Sequence, residues 1–151
     1  MDKENIIIQK LEKYCSIQER CISDIIKKLH TWEIDNKHDQ IIQHLKENNF
    51  LNEERFISSF CSGKFKIKKW GKKKITYELK KKGLASIMIK KHTEDFNNNE
   101  YCNTIIKLII LKAKTIKEKD IFVKKNKIAK YLYQKGFESH LVWELINDEI
   151  K

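Results

Sequence analysis

The sequence predicts an all-α fold of three tandem three-helix repeats that form an elongated, curved body. The 151 residues contain no proline and only four glycines, which are too few turn residues for a typical β-sandwich or β-barrel. Apolar residues recur at helical spacing throughout the chain. One sequence frame also occurs twice, 53 residues apart. Stacked helical units of this kind give a long surface, which suits a polymeric partner.

The first predicted repeat, residues 1–50, contains three helices, and the third of them ends at Asn48-Asn49. The second, residues 51–96, begins with a helix capped by Asn52. Its second helix is predicted over 70–82 and ends at Gly83, and Ser86 is the expected cap of the third. The apolar stripes of the first repeat are marked by Ile7 and Leu11, by Ile25 and Leu29, and by Ile41 and Leu45.

The third predicted repeat, residues 97–151, starts with the loop Asn97-Asn98-Asn99, the expected site of greatest flexibility. A long helix should follow over about 100–117. The next helix should end at Gly136, and Ser139 lies near the cap of the last. The sequence therefore predicts nine helices in all.

The repeated frame reads L-x-x-K-G-[LF]-x-S and spans 79–86 and 132–139. Its glycine supplies a left-handed helix end, the next apolar residue enters the core, and the serine is placed to cap the following helix. A degenerate copy in the first repeat has Glu33 where the glycine should stand.

Positive charge is concentrated in the middle of the chain. The protein has 32 basic and 21 acidic residues, a net charge of +11. Residues 62–91 alone contain 12 lysines and one acid, Glu78, whereas the flanking segments are nearly neutral. A bias of codon usage toward lysine would act on all three segments alike. A localised basic surface that meets an anionic partner is the favoured interpretation, and a solvated lysine face is the alternative.

In a helix over 70–82, Ile75 and Leu79 share one face, and lysines interleaved with aromatic rings occupy the other. Trp70 could stack on a base, or it could pack against a neighbouring helix. Glu78 is expected to pair with Lys74 and Lys82 along the helix rather than to act as a catalytic acid. The candidate binding residues are Lys66, Lys68, Lys69, Trp70, Lys72, Lys73, Lys74, Tyr77, Lys80 and Lys81.

Signatures of catalysis are missing from the sequence. No P-loop, GxGxxG, GxSxG or HExxH motif occurs, and the four cysteines show no metal-ligand spacing. We therefore expect no enzymatic activity, no metal, no cofactor and four free thiols. The longest apolar run has seven residues, against about 20 for a membrane span. With no recognisable signal segment, a cytoplasmic monomer that does not contact membranes is predicted.

Three segments together resemble the RecX family, the bacterial regulators of the RecA recombinase. They are FLNEERF at 50–56, WGKKKITYELKKKGL at 70–84 and YLYQKGF at 131–137, and the resemblance extends over about residues 10–148. It implies three tandem three-helix repeats and a non-enzymatic negative modulator of recombination, DNA repair and the SOS response. Such a protein would bind in the groove of the RecA–single-stranded DNA filament.

Two other functions remain open from the residues alone. A stand-alone helical-repeat protein that binds nucleic acid would use the same basic surface without RecA. An adaptor for another acidic protein would need neither DNA nor RecA.

Overall fold

A computed structural model describes residues 2–151, and within that range all regular structure is α-helical. This confirms the predicted fold class and the predicted number of helices. The nine helices are α1 (Lys3–Ile17), α2 (Ile22–Thr31), α3 (His38–Glu47), α4 (Glu53–Lys66), α5 (Lys72–Lys81), α6 (Ser86–Glu94), α7 (Asn98–Thr115), α8 (Ile121–Gln134) and α9 (Ser139–Glu149).

The helices pack in successive groups of three, which confirms the repeat architecture. Corresponding positions are buried in each group because each uses the same helical spacing of apolar residues. The limits 1–50, 51–96 and 97–151 remain predictions. Each helix contributes an almost fully buried aliphatic side chain: Leu11, Ile57 and Ile105 in the first helices of the three groups, Ile25, Ile75 and Ile128 in the second, and Ile41, Ile89 and Val142 in the third.

The buried side chains form two apolar cores rather than three. One lies among α1, α2 and α3 and includes Leu51 from the start of the next segment. The other extends through all six helices from α4 to α9 and includes Cys21, which precedes α2. The second and third repeats are therefore joined by continuous apolar packing, and the first repeat has a core of its own.

The repeated frame ends its helices as predicted. Gly83 and Gly136 have φ angles of 88° and 94°, and Glu33 adopts the same left-handed region at 58°. In each case the next residue donates its N–H to a carbonyl five positions earlier, as in Phe137 to Leu132 at 3.1 Å.

Several predicted helix starts are wrong by one or two residues. The basic helix begins at Lys72, not at residue 70, because Lys69 is left-handed and Gly71 is the N-cap. Asn97 is not in a flexible loop, since its side chain caps α7 by accepting from Glu100 N–H at 2.9 Å. Ser86 and Ser139 are first helical residues, and Ala85 and Glu138 take the cap positions. The Asn52 cap is confirmed.

Candidate functional site

The predicted binding residues lie at the end of α4, in the connection to α5 and along α5 itself. Most project into solvent, which leaves their ammonium groups available to a partner. Those exposed are Lys66, Lys68, Lys69, Lys73, Tyr77, Lys80 and Lys81; those half-buried are Trp70, Lys72 and Lys74.

Helix α5 is fixed by its apolar side and by its N-terminus. Ile75 and Leu79 are fully buried. Gly71 N–H donates to the Lys135 carbonyl at 2.7 Å, and Lys73 N–H donates to the Gly136 carbonyl at 3.0 Å. A β-carbon on Gly71 would lie 2.4 Å from the Gly136 backbone, so only glycine allows this approach. The basic helix is thereby attached directly to the third repeat.

Tyr101 strengthens the same junction from inside the core. Its hydroxyl accepts a hydrogen bond from Lys72 N–H at 2.9 Å and donates one to the Glu138 carboxylate, the N-cap of α9. Burial, together with the bond to Glu138, raises the pKa of Tyr101 above its usual range. The hydroxyl therefore stays protonated and bridges α5 and α9 from α7.

A cleft of about 480 Å³ opens between α5 and the start of α9 and brings four of the predicted residues together. Tyr77 is 62% exposed beside it, and Lys81 Nζ lies 5.3 Å from the centre of the Tyr77 ring. Three ammonium groups around one concave surface provide point charges for phosphate or carboxylate groups. The lining residues are Lys72, Lys73, Thr76, Tyr77, Lys80 and Glu138.

Trp70 belongs to a second cluster, formed with α4. Its ring lies 6.4 Å from that of Phe60 and is half-buried against the larger core. Lys64 Nζ and Lys74 Nζ are 4.9 and 4.5 Å from the Trp70 ring centre, within cation–π range. Trp70 therefore packs against a neighbouring helix, one of the two interpretations that the sequence allowed.

Other predicted residues are separated from these clusters. Lys66 lines a different cleft, beside Asp95. Lys81 Nζ is 3.5 Å from Glu78, so Glu78 is a helix-pair residue as expected but with a different partner from those predicted. Lys82 pairs instead with Asp24 of α2 at 3.6 Å.

The sequence reasoning missed two lysines of this surface, Lys64 and Lys135. Lys135 Nζ donates to the Lys68 carbonyl at 3.2 Å. The pKa of Lys135 is lowered, mainly by burial and to a smaller extent by the nearby Lys74 cation. For Lys135, the signal in the sequence was its position in the repeated frame, directly before the glycine. The lysine of this frame in each of the last two repeats contacts the preceding repeat, Lys82 through Asp24 and Lys135 through Lys68.

The fold and this surface define a class of protein, an all-α helical-repeat protein with an exposed lysine-rich surface. No helix in the described part of the chain is long and apolar enough to cross a bilayer. Two RecX family models match, the second three-helix domain at residues 52–91 and the third at 99–146. The chain therefore belongs to the RecX family, which consists of regulatory proteins.

Individual relatives agree with this assignment. Regulatory protein RecX of Lactobacillus gasseri is 28% identical over 138 residues, which are 89% of this chain and 50% of that protein. The protein of the same name from Oceanobacillus iheyensis is 30% identical over 126 residues, 82% of this chain and 45% of that protein. The chain thus spans about half the length of these curated relatives.

Two crystal structures share the fold. That of a regulatory protein RecX superimposes with a TM-score of 0.88 at 22% identity, covering 98% of this chain and 74% of the other. That of RecX from Lactobacillus salivarius gives 0.85 at 20% identity and covers 96% and 95% of the two chains.

Proposed function

We propose that this protein is a negative modulator of RecA that binds in the groove of the RecA–single-stranded DNA filament and limits its growth or activity. It would thereby act in recombination, DNA repair and the SOS response. Docking is electrostatic, between the lysines of α5 with its flanking segment and the anionic groups of the filament. The protein acts by binding, without catalysing a reaction.

The observation that carries this proposal is the concentration of exposed lysines on α5 and on the segment that precedes it. Residues 62–91 contain 12 lysines and a single acid. The N-terminus of α5 is held by two backbone hydrogen bonds to the third repeat, so the lysines on it are presented by a rigid support. Rigid presentation reduces the ordering cost of binding.

The test is DNA-dependent ATP hydrolysis by RecA from the same organism, with this protein titrated in. Inhibition at substoichiometric amounts, combined with weak binding to free DNA, is the expected result. No effect on RecA at any ratio, from a protein that is folded by circular dichroism, would overturn the proposal.

A second candidate is a stand-alone nucleic-acid-binding protein. Tyr77, 62% exposed beside lysines, favours it because aromatic rings next to cations can stack on unpaired bases. Inhibition of RecA only once the protein coats the DNA would favour this function. An adaptor for another acidic protein would affect neither RecA nor DNA.

Three further properties complete the proposal. Residues 1–50, 51–96 and 97–151 are the limits of the repeats, the protein is a monomer, and it acts in the cytoplasm. Size-exclusion chromatography with light scattering tests the monomer directly.

A further inference from the structure

A cleft of about 430 Å³ lies between the first and second repeats, next to the basic surface but outside the predicted binding residues except for Lys68. The segment that joins α1 to α2 forms one wall, and one side of α4 forms the other. Its apolar surface comes from Phe56, Phe60 and Ile67. Ile67, at the end of α4, is 78% exposed.

The two acids of this cleft are already neutralised. Glu19 forms an ion pair with Arg55, and Asp24 pairs with Lys82 at 3.6 Å. Among the described residues 2–151, the cleft cations Arg20, Lys64 and Lys68 form no ion pair. The cleft therefore combines an apolar floor with unneutralised positive charge at its rim.

Gly63 leaves part of the α4 backbone bare within this cleft. It lies inside the helix, where glycine is less favourable than alanine. A β-carbon at Gly63 would meet nothing within 4 Å, so packing within the chain does not require glycine here. The open space admits a side chain from outside the molecule.

Resting on the proposed function, we propose that this cleft receives a segment of the RecA protein in which an apolar side chain is flanked by carboxylates. The apolar side chain packs on Phe60, Ile67 and the bare backbone at Gly63. The carboxylates face the ammonium groups of Lys64 and Lys68. The cleft is thus an anchor point beside the electrostatic surface of α5.

The geometry favours a protein segment over a nucleic acid. Lys64 Nζ lies 5.4 Å from the centre of the Phe60 ring, over the face that a base would need for stacking. Phe56 is only 6% exposed, and Ile67 is aliphatic.

The test uses two substitutions, each with a matched control on the full chain. Gly63→Leu fills the cleft, and Ser62→Leu adds the same side chain at the preceding position of α4, which lines a different cleft. Ile67→Asp replaces one of the three apolar side chains of the cleft with a charge, and Ile87→Asp makes the same change at an exposed isoleucine of α6. Affinity is measured for RecA–single-stranded DNA filaments and for the single-stranded DNA alone.

The expected result is at least a tenfold loss of filament affinity for Gly63→Leu and Ile67→Asp, with both controls within twofold of the parent protein. The free energy of unfolding of Gly63→Leu should not fall, because leucine favours helix more than glycine does. Unchanged filament binding by both cleft variants would overturn the cleft proposal alone. Equal loss of binding to DNA alone would assign the cleft to nucleic acid. A parent protein that does not bind the filament would overturn the proposed function together with the anchor.

Discussion

At the scale of single residues, the glycine position of the repeated frame has two kinds of environment. Glu33, Gly83 and Gly136 all adopt left-handed backbone at equivalent helix ends. A β-carbon would meet nothing within 4 Å at Gly83, whereas at Gly136 it would lie 2.4 Å from the Lys74 β-carbon. Conformation alone favours glycine at the first two positions, and conformation and close packing together require it at the third.

Glu33→Gly should stabilise the protein. A non-glycine residue in the left-handed region costs roughly 1–2 kcal/mol, and part of the gain is offset by the greater freedom of glycine in the unfolded chain. We expect the free energy of unfolding to rise by about 0.5–1 kcal/mol in urea denaturation. Glu33→Ala, which keeps the β-carbon, serves as the control and should give no such gain.

Alanine at the two glycines should have unequal effects. Gly83→Ala introduces only the conformational penalty, about 1–2 kcal/mol. Gly136→Ala also forces α5 away from the end of α8, and should cost more than about 3 kcal/mol. Chemical denaturation of both variants measures the difference. Equal costs would mean that the junction relaxes around the added carbon.

Sequence reasoning identified these glycines from the frame, because a left-handed helix end has a local signature. The close approach of Gly71 to Gly136 was not predictable in the same way. It joins positions 65 residues apart in the chain, and no local pattern specifies such a contact.

At the scale of helices, the periodicity of apolar residues predicted the elements and tertiary contacts decided their ends. Trp70 was placed inside the basic helix, and the structure places it before the helix, against Phe60 of α4. With Trp70 in this position, Lys74 lies over its ring, whereas Tyr77 and Lys80 line the cleft between α5 and the start of α9. The lysine-rich helix was therefore predictable, and its division into two clusters was not.

Burial of titratable groups within these helices should make the free energy of unfolding fall as the pH becomes alkaline. Burial raises the pKa of the Cys15 and Cys61 thiols from 9.0 to about 11, and also raises the pKa of Tyr101. The unfolded chain then loses these protons at lower pH than the folded protein does. The stabilisation is complete below pH 9 and is lost as pH rises from 9 toward 11.

Each such group lowers the free energy of unfolding by about 1.4 kcal/mol per pH unit while it is ionised only in the unfolded chain. Urea denaturation between pH 8 and about pH 11 measures the slope. The double variant Cys15→Ala/Cys61→Ala should show a shallower decline than the parent protein. An identical slope in the two proteins would contradict the origin assigned here.

At the scale of the whole molecule, we expect the distribution of charge to matter more for binding an anionic partner than the net charge does. The first 61 residues carry 9 basic and 11 acidic residues, although lysine is common there as well. The second and third repeats share one core, so the basic helix and the third repeat form a continuous support. The affinity for an anionic partner should therefore depend on the positions of the lysines as well as on the net charge of +11.

Charge reversal at two places separates location from total charge. Lys73→Glu/Lys80→Glu/Lys81→Glu should abolish binding to RecA filaments, because the reversed side chains repel the anionic groups that the lysines would meet. The matched control reverses three exposed lysines of the first repeat, Lys13, Lys27 and Lys46, and so has the same net charge. Binding is measured by fluorescence anisotropy of labelled filaments at two salt concentrations, with circular dichroism to confirm folding. If both triple variants lose affinity equally, net charge governs association and α5 has no special role; if only the α5 variant loses it, the docking surface includes this helix.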